Sequence, residues 1–294
     1  MKLQERKIIS FENKARAFEY FVAVFTHKGA STGANAMDLS ERQAEIAELV
    51  RENGFLTVDV LSERFDVTTQ TIRRDLNTLC DHGMARRRHG GIERPGDSGN
   101  LAYGSRQILA RSAKQAIARE VARHVPNGSS LAFSIGTTPQ VVAEALLQHE
   151  RLRVFTNNLN IAMVSCANPS FEVNLAGGRL RNSDRDILGA GMEEFLSSYI
   201  FDIGIYGVAG VGENGTLLDF SEEEVRARKL IHENSRITFM VLDHTKFGRA
   251  AHVRGGKIGE ATKVFCNARP PKTILKVLSK SDTELVICGE GQSQ

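Results

Sequence analysis

Residues 69–79 read Thr-Gln-Thr-Ile-Arg-Arg-Asp-Leu-Asn-Thr-Leu, and their types sort by helical period. Ile72, Leu76 and Leu79 fall on one face, whereas Gln70, Arg73, Arg74 and Asn77 fall on another. Guanidinium and carboxamide groups are the side chains that reach phosphates and base edges. One face asks for a core and the other for a duplex, so the spacing predicts a DNA-recognition helix, with Thr69 and Thr71 counted among its contacts. A few residues later Arg86-Arg87-Arg88-His89 precedes Gly90-Gly91. Two short strands around that turn would form a wing, with its arginines and His89 available to backbone phosphates.

A second group of residues sits in loops that follow short apolar runs. Gly136-Thr137-Thr138 comes after a run at 131–135 and opens a helix. Its backbone N–H groups, its two hydroxyls and the positive helix end suit a phosphate, although a plain strand-to-helix turn looks the same. Asn157-Asn158 ends the next run and offers amides to ligand hydroxyls. Gly177-Gly178 ends a third, where a missing Cβ lets a ligand approach the backbone. Lys246, in Asp243-His244-Thr245-Lys246, would reach a phosphate. Ser134 stands beside the first loop. Glu224, the last of three consecutive glutamates, would face the ligand or play the more ordinary part of stabilising a helix N-terminus. Several polar loops at one sheet edge predict a small phosphorylated ligand.

The elements that must position these groups are legible in outline. Ser40-Glu41-Arg42-Gln43 has the form of a capping box, followed by Ile46, Leu49 and Val50 at helical spacing and ended by Asn53-Gly54. Thr57 caps a second helix over 58–65. Asp66-Val67-Thr68 turns into the helix over 69–81, which Gly83 stops. Two helices joined by so short a turn match a helix-turn-helix. Residues 37–97 carry 9 arginines and no lysine against 12 acids, yet 70–94 carry six arginines against Asp75, Asp81 and Glu93. Positive charge is thus concentrated where phosphates would lie.

Pro, Gly, Ser and Asn crowd residues 93–100, which marks a domain boundary. The division expected is a DNA-binding domain at 37–93, a linker at 94–111 and an effector domain at 112–290. Beyond the boundary, helical segments at 112–124, 139–148, 159–166, 222–233 and 274–279 alternate with strands at 131–135, 152–156, 171–175, 203–208, 238–242 and 285–288. Pro139 suits a first helical position. Such alternation means an open, mostly parallel α/β sheet with ligands beyond the carboxyl ends of its strands.

The whole chain sets wider bounds. Its 294 residues allow two domains, and 25% charged with 41% hydrophobic residues is ordinary for a soluble protein. A net charge of +3 is too small to specify a partner. Four cysteines without a C-x-x-C spacing point to reduced thiols in the cytoplasm, with no metal and no cofactor expected. No apolar run is long enough to span a bilayer, so no membrane partner is expected. In the first 36 residues, an apolar patch at 18–25 is interrupted by Glu19, and residues 29–36 are linker-like. Met37 is expected to be the natural start, with 1–36 as an extension read from upstream sequence.

The N-terminal block resembles the helix-turn-helix signature of the deoxyribonucleoside-repressor (DeoR) family of bacterial regulators. Arg42-Gln43, Ile46, Val67-Thr68, Thr71-Ile72-Arg73-Arg74-Asp75-Leu76 and His89-Gly90-Gly91 carry that likeness. The later block resembles the family's sugar-phosphate sensor domain, through residues 135–139, 156–160, 175–178, 233–236 and 243–249. The match covers about residues 38–288. It implies a winged helix-turn-helix followed by an open α/β sensor, binding operator DNA as a homo-oligomer, dimer or tetramer. The effector implied is glycerol-3-phosphate, or else another sugar phosphate, whose binding releases the DNA. One departure is Ser134, where the family usually has Asp; a neutral hydroxyl removes both an acceptor for ligand hydroxyls and repulsion toward a phosphate dianion.

The sensor layout is also similar to ribose-5-phosphate isomerase, which makes an isomerase the rival reading. That reaction needs a carboxylate base and groups that stabilise an enediolate. Residues 206–210, Tyr-Gly-Val-Ala-Gly, hold no carboxylate where the isomerase places its acidic cluster. Residues 218–221, Leu-Asp-Phe-Ser, hold no lysine where it places one. The expectation is therefore a sensor and not an enzyme. A constitutive architectural DNA-binding protein would have no use for a second domain with so many ligand loops.

Overall fold

Ser40 opens helix α1 (Glu41–Asn53): its hydroxyl accepts from the Gln43 N–H while the Gln43 side chain accepts from the Ser40 N–H. The reciprocal pair satisfies two donors that a helix start leaves without partners. Strand β1 (Phe55–Thr57) leads into α2 (Val58–Phe65), whose first turn is capped by the Thr57 hydroxyl. Asp66 turns the chain in the left-handed region at φ 50°, and Thr68 caps α3 (Thr69–Asp81). Strands β2 (Arg86–Arg88) and β3 (Gly91–Glu93) make the wing, and β3 also pairs with β1 in a three-stranded antiparallel sheet of order β1-β3-β2. A side chain at Gly91 would meet the Leu56 carbonyl oxygen at 2.2 Å, so only glycine lets the wing close on β1. Strand β1 is too short to announce itself by periodicity. The three wing arginines are all exposed, because β2 is the outer strand of that sheet.

The computed structural model describes residues 39–88, 90–93, 101 and 103–289. His89, the N-terminal extension and residues 94–100 of the expected linker lie outside the described residues. Residues 103–108 differ from the linker expected of them. Tyr103–Ile108 forms helix α4, with Tyr103 and Ser105 buried, so part of the stretch 94–111 is folded against its neighbours.

From there the chain alternates. Helix α5 (Arg111–Arg123) leads to β4 (Ser130–Phe133), α6 (Thr137–Ala145), β5 (Arg153–Thr156), α7 (Leu159–Ser165) and β6 (Glu172–Leu175). A two-stranded hairpin, β7 (Leu180–Arg181) and β8 (Asp186–Ile187), and helix α8 (Ala190–Ser197) come before β9 (Phe201–Tyr206). Strands β10 (Gly210–Val211) and β11 (Thr216–Asp219), helix α9 (Glu222–Glu233), β12 (Ser235–Val241) and β13 (Val253–Lys257) come next. The chain finishes with β14 (Lys263–Cys266), α10 (Lys272–Leu278) and β15 (Glu284–Ile287).

Seven of these strands form one parallel sheet of order β15-β14-β12-β9-β4-β5-β6. The chain builds outward from β4 in one direction and then returns to β4's other side with β9. That reversal opens a crevice at the carboxyl ends of β4 and β9, the usual ligand position in open α/β sheets. Strands β10, β11 and β13 form a separate antiparallel sheet, which alternation alone does not foretell.

Successive residues on the central strands point to opposite faces and fill two cores. Leu131, Phe133, Phe239 and Val241 join one, while Ala132, Met240 and Leu242 join the other. Helix α6 begins at Thr137, so Pro139 takes its third position rather than its first. The shift is tolerated because the first-turn N–H groups have no intrahelical acceptor in any case. The four cysteines are free thiols.

In the N-terminal module Ile46, Val50, Leu61, Ile72, Leu76, Leu79 and Ile92 are buried together with one carboxylate, Asp75, which is 4% exposed. It accepts from Arg42 Nε at 2.7 Å and from Gln43 Nε2 at 2.8 Å, which ties α3 to the first turn of α1. Asp75→Ala is expected to cost about 1–3 kcal/mol by leaving those donors without their acceptor. Urea unfolding followed by circular dichroism measures this, and an unchanged midpoint would show that the contact does not hold the two helices together.

Candidate functional site

Two surfaces have the chemistry of binding sites. The first is the outer face of α3 with the wing. Ile72, Asp75, Leu76 and Leu79 turn inward, and Gln70, Arg73, Arg74 and Asn77 are exposed, with Thr69 and Thr71 half-buried beside them. Among the described residues neither Arg73 nor Arg74 has an ion-pair partner within the chain. Arg86 and Arg87 are exposed on β2. Arg88 is engaged, over the Phe55 ring at 5.2 Å and 3.4 Å from Glu93. The exposed cations therefore lie on one helix and one strand that are adjacent in the fold, an arrangement that suits phosphates on either side of a groove.

The second surface is the crevice between β4 and β9. It is lined by Ser134, Gly136, Thr137, Thr138, Glu224 and Lys246, six of the ten residues expected at an effector site. Gly136 takes φ 134°, a conformation glycine alone adopts readily, and it aims the N-terminus of α6 into the crevice. The N–H groups of Thr137 and Thr138 have no acceptor within the helix, and the dipole adds partial positive charge there. Ser134 Oγ accepts from the Gly207 N–H at 3.3 Å and donates to the Ile135 carbonyl at 3.1 Å, so it stitches β4 to β9 at the floor.

Lys246 is half-buried. Desolvation pushes its ammonium down to about 7, against the pull of Asp243 and with the help of Arg249, Lys114 and Arg106. Asp243, 1% exposed, would be driven up by burial, yet Lys246 and Lys114 hold its carboxyl below the ordinary range. Burial of Glu224 raises its carboxyl, and its Arg181 contact at 2.8 Å opposes that rise.

The other four expected residues do not line the crevice. Asn157 and Asn158 are fully buried and serve the β7–β8 hairpin: Asn157 Nδ2 donates to the Ile187 carbonyl, and Asn158 Nδ2 donates to the Asp184 carbonyl. Asn158 Oδ1 also caps α7. Gly178 lies against Ile187, where a Cβ would come within 2.9 Å, and Gly177 precedes it. These residues fold the hairpin, which in turn brings Arg181 to Glu224.

Sequence reading did not find Arg106, Asp219, Arg228 and Arg249, which also line the crevice. Arg228 and Asp219 are paired at 2.8 Å, and Asp219 accepts in addition from the Ala209 N–H. Arg249 donates to the Ala209 carbonyl and lies over Phe220 at 5.3 Å. Its place three residues after Lys246 was a signal for Arg249; Arg106 had none, because it lies in a stretch read as linker. Among the described residues no cluster of three or more His, Cys, Asp and Glu side chains is arranged to hold a metal ion, and no helix is long and apolar enough to cross a membrane.

Comparison with known proteins gives two family matches. The DeoR-like helix-turn-helix domain matches residues 42–97, and the DeoR C terminal sensor domain matches residues 110–268. The chain is 42% identical over 252 residues to the glycerol-3-phosphate regulon repressor of Escherichia coli (strain K12), covering 86% of this chain and 100% of that one. It is equally similar to the repressor of that name in Haemophilus influenzae, covering 98% of it. Identity to the HTH-type transcriptional repressor CsqR of Escherichia coli is 34% over 246 residues, covering 84% of this chain and 94% of that one. Among solved structures, a ribose 5-phosphate isomerase A from Methanocaldococcus jannaschii aligns over 51% of this chain and 57% of that one, at 16% identity and a TM-score of 0.36.

The depressed Lys246 ammonium would make binding of an anion in the crevice depend on pH. An anion favours the charged lysine, so affinity is full below about 7 and falls as pH rises above it, by up to about tenfold per unit. A phosphate monoester, already dianionic above about pH 6, should bind more weakly at pH 9 than at pH 7 in isothermal titration. Lys246→Met should bind weakly at both. A flat profile for the unsubstituted chain would contradict a role for Lys246.

Proposed function

Because the chain belongs to the DeoR family of transcriptional regulators, we propose that it represses genes of glycerol and glycerol-3-phosphate use and releases them when glycerol-3-phosphate occupies the crevice. The observation that carries this reading is the pairing of two cation-rich surfaces in one chain: an exposed helix face that fits a groove, and a crevice whose cations surround a helix N-terminus. In this reading Gln70, Arg73, Arg74 and Asn77 read base edges, Thr69 and Thr71 support them, and Arg86 to Arg88 hold the backbone. The ester's phosphate lies at Gly136, Thr137 and Thr138 with Lys246 as counter-ion. Residues 37–93 then form the DNA-binding module and 112–290 the sensor. A two-fold operator calls for a dimer or tetramer, acting in the compartment that holds the DNA.

An isomerase remains the rival class. Both carboxylates that line the crevice are held in ion pairs, Asp219 by Arg228 and Glu224 by Arg181. A base that removes a proton from a sugar carbon must instead be within reach of that carbon and able to accept. Sensing fits the crevice better than catalysis. The Escherichia coli relatives at 42% and 34% identity are repressors by name, which favours the same side.

Fluorescence anisotropy with a duplex selected from a random pool by the chain itself tests this reading. Arg73→Ala and Arg74→Ala should each cost about 1–3 kcal/mol and relax preference at one position. Arg87→Ala should weaken every duplex alike and reduce the salt slope by about 1. Thr137→Ala with Lys246→Ala should leave duplex binding in place and abolish release by glycerol-3-phosphate. Turnover of a sugar phosphate by the purified chain, or operator affinity untouched by glycerol-3-phosphate, would overturn the proposal.

A further inference from the structure

We propose that α4 is the lever between the two surfaces, with Arg106 as a ligand of the effector's phosphate; the inference rests on the function proposed above. The Arg106 side chain lines the crevice with Gly136, Thr137, Lys246 and Arg249. Its guanidinium pairs with Asp184 of the β7–β8 connection, donates to the Leu101 carbonyl at 3.0 Å, and lies over the Tyr103 ring at 5.3 Å. Tyr103 Oη donates to Gln140 of α6 at 2.6 Å, so the crevice side of α4 is tied to the helix whose N-terminus faces the ligand.

The opposite ties of the same segment run to the DNA-binding module. Ser105, fully buried, donates its hydroxyl to the carbonyl of His82, the residue that caps the recognition helix. Two residues past the end of α4, the Ala110 N–H donates to the Glu48 carboxylate of α1. Ala110 is held at φ 52°, in the left-handed region that an alanine adopts only when its surroundings impose it. Lys114, buried in α5, fixes the segment from below by donating to the carbonyls of Arg106 and Leu109. Residues 103–110 therefore touch the effector crevice, the end of the recognition helix and α1.

Arg106 and Ser105 are neighbours about 100° apart around a helix of fewer than two turns. So short a helix moves as one body. A phosphate dianion competes with the single charge of Asp184 for the guanidinium. A turn of α4 that carries Arg106 toward the phosphate withdraws Ser105 from the His82 carbonyl and loads the strained Ala110–Glu48 link. Contacts of this kind are made or broken rather than stretched, which lets a small shift in the crevice reposition α3.

The test uses the full chain, glycerol-3-phosphate and a duplex selected by the chain. In the unsubstituted protein glycerol-3-phosphate should lower duplex affinity by about 5- to 150-fold. Arg106→Gln should lose glycerol-3-phosphate affinity in the absence of DNA. Ser105→Ala and Glu48→Gln should still bind both ligands singly, while the ratio of duplex affinity without and with effector falls toward one. Hydrogen exchange on the unsubstituted protein gives a readout free of any folding defect: glycerol-3-phosphate should change protection of the Ala110 amide. Wild-type affinity of Arg106→Gln for the effector, a wild-type ratio in Ser105→Ala and Glu48→Gln, or unchanged Ala110 protection would overturn the lever while leaving the proposed function standing. An unsubstituted protein that ignores glycerol-3-phosphate would overturn both.

Discussion

Lys246 lies half-buried beside a fully buried Asp243, and the cost of keeping that ammonium charged away from bulk water shapes everything around it. Arg106, Arg249 and Lys114 add like charge nearby, and each of them lowers the ammonium further. Of the carboxylates within reach, Asp243 answers Lys246 and Lys114, Asp184 answers Arg106, and Asp219 answers Arg228. Glu224, also on the crevice wall, answers Arg181, and the α6 dipole adds partial positive charge at Thr137 and Thr138. An anion seated at Thr137 and Thr138 would meet that dipole and the Lys246 ammonium.

The crevice has a topological origin. Strand β4 is laid down first in the sheet, β5 and β6 are added on one side, and the chain then returns to put β9 on the other. Only at such a reversal do two loops leave adjacent strands in opposite directions and leave a gap between them. The loop after β4 contributes the helix N-terminus, and the loop after β9 contributes Gly207, whose N–H reaches Ser134 across the floor. The antiparallel β10-β11-β13 sheet and α9 then deliver Asp219, Phe220, Arg228 and Glu224 to the wall.

Polar residues in the fold divide into those that serve a ligand surface and those the structure consumes. Asn157 and Asn158 look like ligand groups at the end of a strand, yet their Nδ2 groups donate to the β7–β8 hairpin. Asp75, inside a helix whose exposed face is cationic, is spent on Arg42 and Gln43. The Asp75 carboxylate and the Nδ2 groups of both asparagines thus find partners inside the fold, whereas Asn157 Oδ1 is buried without one. Gln43 serves twice, since its oxygen completes the Ser40 capping box and its nitrogen meets Asp75.

How much of this was legible in the chain depends on the range of the forces involved. The three helices between residues 41 and 81 could be read from the sequence because caps and helical period act over three or four residues: Ser40 with Gln43, Thr57 before Val60, and Ile72, Leu76 and Leu79 on one stripe. The Gly136-Thr137-Thr138 turn was legible for the same reason, although its helix begins two residues before Pro139. Strands of two or three residues, such as β1, β7 and β8, are too short for a period to show. Arg106, Arg228 and Arg249 gained their place only when segments far apart in sequence met at the switch point. The residue types and the local turns were set by the chain's own order; which of them share a crevice, and which charges meet there, was decided by packing, because desolvation and ion pairing depend on neighbours that no local pattern names.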